Sequence, residues 1–110
     1  MKNSGPRPPT QLSREARSLW RRLVADYGIE DAGGCAILQQ ACEALDRLRQ
    51  AQGAIAEDGP VLRDRFGQAK PHPMLTTERD SRSAFLQAIR ALGLDIEPLK
   101  DRPAWREGRR

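Results

Sequence analysis

The chain has 110 residues, which is the size of one small domain and too short for a large self-contained enzyme. Hydrophobic residues make up 38% of it and aromatic residues 5%, whereas 31% of the residues are charged. This composition is typical of a polar domain with a modest core, so we expect self-association to bury additional surface. The formal net charge of +4 favours a polyanionic partner.

The apolar segments indicate where the protein is located, and the spacing of the cysteines indicates whether they form a disulfide or a zinc site. No stretch approaches the roughly 20 apolar residues of a membrane span, and residues 1–10 hold no apolar signal core, so we expect a cytoplasmic protein without membrane contact. Cys35 and Cys42 would lie about 10 Å apart along one helix, too far for a disulfide. We interpret both as small buried apolar side chains, because no second cysteine pair or nearby histidine completes a zinc site.

The N-terminal third of the chain predicts a flexible arm followed by a helix. Proline, glycine and basic residues dominate residues 1–11, which favours a flexible basic arm with almost nothing to bury. A first helix is predicted over about residues 14–27, because Ser13 stands at an N-cap position and apolar residues recur at steps of three and four. Gly28 is expected to end this helix in the left-handed conformation, with Ile29 making the accompanying apolar contact.

A long second helix is predicted over about residues 32–57, with Asp31 as its N-cap. Its apolar residues form a heptad-like seam with one polar member. Two interpretations of this seam stay open, namely packing inside the monomer and packing against helices of other subunits. The seam consists of Leu38, Ala41, Leu45, Leu48, Gln52 and Ile55.

The remaining chain predicts a small β-hairpin, a third helix and a basic tail. Residues 61–70 contain a turn-like segment between two short strands, before Pro71 and Pro73 prevent regular pairing. A third helix is expected from about Met74 or Leu75 to Leu92. The predicted fold class is mainly all-α: three helices with a long central helical hairpin in a domain of residues 12–94, and an exposed basic tail over residues 95–110.

No residue set predicts catalysis, and no cofactor or metal is expected. The one histidine, His72, stands between two prolines without a nucleophile or an orienting partner at a useful spacing, so we interpret it as a loop histidine without a function. No glycine-rich segment ends in lysine and then serine or threonine, which excludes a P-loop. Asp46, beside Arg47 and Arg49, and Asp80 indicate solvated helix faces with local ion pairing.

Basic residues are concentrated near the start of the chain, where residues 2–22 hold six of them and one acidic residue. At 100° per residue, Arg14, Arg17 and Arg21 share one face of the first helix with Arg22 at its edge, opposite the apolar stripe. We expect this face to contact phosphates of a nucleic acid, whereas ordinary solvation of arginines is the alternative. Further candidates lie in the hairpin and the tail: Arg63, Arg65, Lys70, Arg102 and Arg106.

The first two predicted helices also have the outline of a helix-turn-helix. This outline would indicate a small transcriptional regulator that binds a palindromic operator as a dimer. The second helix opens with Ala32, Gly33 and Gly34 in place of polar side chains that contact bases, so we expect phosphate contacts to dominate any DNA binding.

Several short motifs follow one another in an order that is typical of one family. In order and spacing, over about residues 6–100, they resemble the phage terminase small subunit family, in its short helical branch from tailed phages and prophages. The motifs are Pro8-Pro9, Leu12-Ser13, Ala16, Trp20, Tyr27-Gly28-Ile29, Asp31, Gly59, Lys70-Pro71-His72-Pro73, Leu92-Gly93-Leu94 and Pro98.

The resemblance implies a non-catalytic DNA-packaging factor in the cytoplasm of a bacterial host. Such a factor forms a homo-oligomeric ring, engages double-stranded viral DNA, helps select the packaging site and regulates the ATPase and nuclease of the large terminase subunit. An adaptor that recruits the large subunit with little or no DNA affinity is a further alternative. We expect the faces of helices two and three to build both the subunit core and the ring interface, through Leu38, Leu45, Leu48, Ile55, Phe85 and Ile89.

Overall fold

The computed structural model describes residues 5–94. Its elements in chain order are helix α1 (Arg14–Tyr27), helix α2 (Ala32–Asp58), strands β1 (Val61–Arg63) and β2 (Ala69–Pro71), and helix α3 (Met74–Ala91). The two strands pair as an antiparallel hairpin, and the fold is mainly helical, as predicted. Between residues 5 and 94, none of the helices combines the length and the hydropathy of a membrane span.

Helix α1 begins and ends at the residues that its local chemistry predicts. The Ser13 hydroxyl accepts a hydrogen bond from the backbone N–H of Ala16 at 3.0 Å, which satisfies one of the free donors of the first turn. At the other end Gly28 takes a left-handed φ of 67°, and its N–H donates to the carbonyl of Val24 at 2.9 Å. Ile29 is buried directly beyond it, so both predictions for this end are confirmed.

Two polar contacts and an apolar seam join α1 to the first half of α2. The backbone N–H of Ser13 donates to Asp46 Oδ2 at 2.9 Å, and the Ser13 hydroxyl donates to the other carboxylate oxygen of the same residue. One turn further along, Arg49 Nη2 lies 3.0 Å from Glu15 Oε2. The expectation that Asp46 pairs with Arg47 and Arg49 on its own helix is therefore wrong. Because α1 lies against α2, Ser13 is the partner of Asp46 and Glu15 is the partner of Arg49.

The main core lies between α1 and the first half of α2. Trp20 and Leu38 are buried there, and the Cys42 side chain has no exposed surface. Both cysteines are free; Cys42 is buried, as predicted, whereas Cys35 is only half-buried. Burial raises the pKa of the Cys42 thiol to about 11, and the nearby carboxylates of Asp46 and Glu43 contribute in the same direction.

Helix α3 runs antiparallel to α2 and has fewer fully buried residues than α1. The chain just before α3 contacts Asp58 at the end of α2, whereas Phe85 and Leu92, further along α3, pack against the core near the start of α2. Ser81 is the one buried residue of α3, which lies wholly inside the described range. The buried apolar side chains of the second half of α2 are Leu45, Leu48 and Ala51.

His72 lies in the loop between β2 and α3, as predicted, and it has a structural role there that the sequence did not indicate. Its side chain is buried, with Nε2 2.9 Å from Asp58 Oδ2 and with Nδ1 accepting a hydrogen bond from the N–H of Met74 at 3.0 Å. Because Nδ1 accepts, the proton of the neutral ring is on Nε2, which donates to the carboxylate. The backbone N–H of His72 also donates to the Pro60 carbonyl at 2.8 Å, so this residue joins α2, the hairpin and α3.

The described part of the predicted arm, residues 5–11, packs along α1. The indole N–H of Trp20 donates to the Pro6 carbonyl at 3.0 Å, and a Cβ built on Gly5 would lie 2.7 Å from Val24 Cγ1. This packing differs from the expectation that the arm buries almost nothing. Proline lacks an N–H, but its ring and carbonyl still pack against a helix and accept hydrogen bonds. Residues 1–4 and the predicted tail, 95–110, lie outside the described residues.

Candidate nucleic-acid interface

The basic face predicted on α1 is present. Arg14, Arg21 and Arg22 are exposed, and none of them forms an ion pair with another residue between positions 5 and 94. Glu15, the one acidic residue of the first half of α1, is occupied by Arg49 of the neighbouring helix. The cationic charge of this face is therefore not neutralised from within the described structure.

Arg17 and Arg21 line a groove between the N-terminal segment and α1. Arg17 is half-buried, and its guanidinium donates to the Thr10 carbonyl at 3.4 Å. The groove has a volume of about 790 Å³, and Arg7 lines it as well. Glu30 is the one acidic side chain among its lining residues, so an anionic group that enters the groove meets a net positive charge. Apolar lining comes from Pro6, Pro8, Val24, Ala25 and Ile29.

The hairpin that carries the second predicted group of basic residues has a rigid turn. Asp64 Oδ1 accepts hydrogen bonds from the backbone N–H groups of Phe66 at 2.8 Å and Gln68 at 2.9 Å. The Asp64 N–H donates to the Gln68 carbonyl at 3.0 Å, and Gly67 adopts a φ of 78° that suits glycine. One aspartate therefore organises the whole turn.

Three exposed cations surround this turn. Arg63 Nη1 donates to the Gly67 carbonyl at 2.8 Å, Arg65 lies over the ring of Phe66, and Lys70 Nζ lies 3.8 Å from Asp64 Oδ2. The sequence placed Arg63, Arg65 and Lys70 in one cluster, and the structure brings them together on the hairpin.

The structure does not bring the α1 face and the hairpin into one patch. The start of α1 contacts Asp46, whereas the hairpin follows Asp58, about 18 Å further along α2 at 1.5 Å per residue. The two groups form separate cationic patches, which we call the α1 patch (Arg14, Arg17, Arg21 and Arg22) and the hairpin patch (Arg63, Arg65 and Lys70). Arg102 and Arg106 lie outside the described residues.

The six residues predicted for oligomerisation divide into two groups. Leu38, Leu45 and Leu48 are buried inside the single chain and serve its own core. Ile55, Phe85 and Ile89 are half-buried and retain surface that a second chain can cover. Sequence reasoning left out Leu86, which is 49% exposed and lies on α3 among Arg79, Arg82 and Arg90 around a shallow pocket of about 320 Å³.

Phe66 is a second feature that the sequence reasoning missed. Its side chain is 75% exposed at the tip of the hairpin. The sequence feature that could have predicted this exposure is an aromatic residue inside a turn of Asp, Arg and Gly, where no neighbouring element can cover it.

The described residues thus form a small, mainly helical protein with two cationic patches and a partly exposed apolar face on α3. Between residues 5 and 94 there is no group of three histidine, cysteine, aspartate or glutamate side chains placed to hold a metal ion. The family model described as phage terminase, small subunit, matches residues 16–99, which cover most of α1 and all of the elements that follow it. The chain belongs to the phage terminase small subunit family. No curated protein and no solved structure matches it.

Proposed function

We propose that this chain is the DNA-binding, non-catalytic subunit of the terminase of a tailed phage or prophage, acting in the cytoplasm of the bacterial host. It binds viral double-stranded DNA, helps to select the packaging site and regulates the ATPase and nuclease of the large subunit. Family membership supports the general role. The observation that carries the DNA-binding part is the α1 patch, whose exposed arginines have no acidic partner among residues 5–94.

Phosphate contacts are the chemistry that these arginines support best. A guanidinium donates two parallel hydrogen bonds to phosphate oxygens and keeps its charge at any physiological pH. Each contact releases condensed counterions from the duplex, so affinity falls as the salt concentration rises. This mode of binding needs few base contacts, and it agrees with the start of α2, where Ala32 and Gly33 offer no polar side chain.

Assembly into a ring would strengthen this interaction, because each subunit adds its own α1 patch to the same DNA. The partly exposed apolar side chains of Ile55, Phe85, Leu86 and Ile89 support such assembly, since a second chain that covers them would remove this apolar surface from water.

The test is a DNA-binding titration at several salt concentrations. The full chain is compared with Arg21→Ala, and the matched control is Arg47→Ala, which removes the same charge from an exposed arginine of α2 that has no ion pair within residues 5–94. We expect the slope of log affinity against log salt to fall by roughly 0.9 for each phosphate that the α1 variant no longer neutralises. The control is expected to keep the slope.

The outcomes separate the proposal from its alternatives. An equal loss in both variants would show that only net charge matters and that the α1 patch is not the site. Absence of DNA binding, together with binding to the large subunit of the same phage, would establish the adaptor. A stable dimer with tight binding to one palindromic sequence would establish the regulator.

A further inference from the structure

Phe66 has an unusual combination of exposure and rigidity. It is 75% exposed, the most of any large hydrophobic side chain that the structure describes. A phenyl ring left in water forgoes the stabilisation that burial would provide. The four-residue turn around it is nevertheless held by hydrogen bonds to both the side chain and the backbone of Asp64. The backbone that carries the ring is therefore already ordered, so a partner that receives the ring need not order the turn.

The charges around the ring indicate what kind of partner receives it. Arg65 lies 5.2 Å from the ring centroid. In the strand register Leu62 pairs with Lys70 and Arg63 pairs with Ala69, so Arg63 and Lys70 lie on opposite faces of the hairpin. Each face thus carries a cation near the tip, an arrangement that suits a groove bordered by phosphates on both sides.

The single acidic residue of the hairpin does not oppose this interpretation. The side chain of Asp64 is 21% exposed and uses its oxygens on the backbone N–H groups of the turn and on Lys70. Arg63, Arg65 and Lys70 against the one carboxylate of Asp64 leave the hairpin with a net positive charge, and its cations lie on both faces and at the tip. Charge complementarity therefore favours double-stranded DNA as the partner of the tip.

We propose that the hairpin tip enters the minor groove of duplex DNA and that the Phe66 ring wedges between adjacent base pairs, with Arg63 and Lys70 on the flanking phosphates. The minor groove is about 6 Å wide and too narrow for a helix, whereas β-ribbon and β-sheet proteins use strands in either groove. Apolar wedges beside arginine unstack and kink DNA in this way, and an aromatic ring stacks on any base. This inference rests on the proposed function and adds a base contact that the α1 patch does not make.

The test uses the full chain and a duplex of mixed sequence that carries 2-aminopurine, whose fluorescence rises when its base is unstacked. Phe66→Ala is expected to weaken binding about 5-fold or more and to abolish the fluorescence rise, because the ring no longer stacks on a base. The dependence of affinity on salt is expected to stay unchanged, because no charge is removed.

Phe66→Tyr is expected to retain both the DNA affinity and the rise in 2-aminopurine fluorescence. Val61→Ala, which removes another exposed apolar side chain of the hairpin, is the control and should behave like the unmodified chain.

Two results would overturn the wedge. One is unchanged affinity and unchanged 2-aminopurine fluorescence for Phe66→Ala. The other is a lower solution mass of Phe66→Ala by light scattering, which would place the ring in a pocket of a second copy. Circular dichroism of each variant checks that it is folded, and we expect no change because the exposed Phe66 side chain does not belong to the core.

If the unmodified chain has no DNA affinity, the proposed function fails. If the chain binds DNA through the α1 patch and the Phe66 substitution has no effect, only the wedge fails.

Discussion

Single polar side chains at helix ends join the helices of this protein. Ser13 caps α1 and also bonds Asp46 of α2, and His72 accepts from the first turn of α3 while its other nitrogen donates to Asp58 of α2. In both cases one residue satisfies a free backbone donor and makes a contact between helices. Its removal therefore affects a helix end and the packing of that helix at the same time.

Replacing His72 with alanine is expected to lower the free energy of unfolding by about 1–3 kcal/mol, because the Met74 N–H loses its partner and a buried polar contact to Asp58 disappears. His72→Asn retains a short side-chain acceptor for the Met74 N–H and is expected to recover part of this loss. Urea unfolding monitored by circular dichroism measures both. Equal losses for the alanine and asparagine variants would show that the contact with Met74 contributes nothing.

The Cys42 thiol is expected to make the free energy of unfolding depend on pH in the alkaline range. Its pKa is raised to about 11 in the folded chain from an ordinary value of 9.0. The folded state therefore favours the protonated thiol, and the associated stability is fully present below pH 9.0 and is lost as the pH rises towards 11. We expect the difference in unfolding free energy between the unmodified chain and Cys42→Ala to shrink over this range. Cys35→Ala is the control, and a difference that stays constant with pH would contradict the prediction.

Thiol reagents provide a simpler test of the same environment. Because Cys42 has no exposed surface and its thiolate is disfavoured, we expect Cys35 alone to react in the folded protein at neutral pH. Both cysteines are expected to react after unfolding in urea. Equal rates for the two thiols in the folded chain would show that Cys42 is accessible.

Glycine affects the stability of a helix in opposite directions at its end and in its interior. Gly28 ends α1 at a φ of 67°, which side chains rarely adopt, whereas Gly53 lies within α2. A Cβ at either position would meet nothing within 4 Å. The two sites therefore differ in backbone conformation but not in available space, and they form a matched pair.

Gly28→Ala is expected to destabilise the protein by about 1–2 kcal/mol, because the left-handed conformation disfavours a Cβ. Gly53→Ala is expected to stabilise it by about 0.5–1 kcal/mol, because alanine is the better helix former and loses less backbone entropy. Urea unfolding of the two variants measures the effect. The same sign for both would contradict the conformational argument.

Fully buried residues are distributed unevenly among the three helices of the described chain. Trp20, Leu38 and Cys42 are buried between α1 and α2, but Ser81 is the one buried residue of α3. An amphipathic helix gains most of its stability from packing, and α3 packs along α2 while Phe85, Leu86 and Ile89 keep apolar surface that the single chain leaves uncovered. A second copy of the chain would cover it.

We predict that the unmodified chain forms an oligomer larger than a tetramer in light scattering at low and at high salt, since apolar contacts resist screening. Leu86→Glu is expected to reduce this mass, because it places a charge on the exposed apolar surface of α3. Ala84→Glu adds the same charge to an exposed position on the other flank of α3 and is the control. A monomer or dimer at both salt concentrations would refute the ring.

The elements and the family of this protein follow from the sequence alone. Ser13, Gly28 and Asp31 act on backbone within a few residues of themselves, and apolar spacing of three and four residues specifies a helix locally, so the helix bounds could be read directly. The order of short motifs along the chain identified the terminase small subunit family, and it needs no spatial information.

Which side chains meet depends on the tertiary structure. Asp46 and His72 take partners from other elements, and no local rule could say that α1 would lie beside the middle of α2 or that His72 would reach Asp58. The same holds for the separation of the α1 patch from the hairpin patch and for the exposure of Phe66. Each depends on the relative placement of elements that are far apart in the chain, and packing between those elements sets that placement.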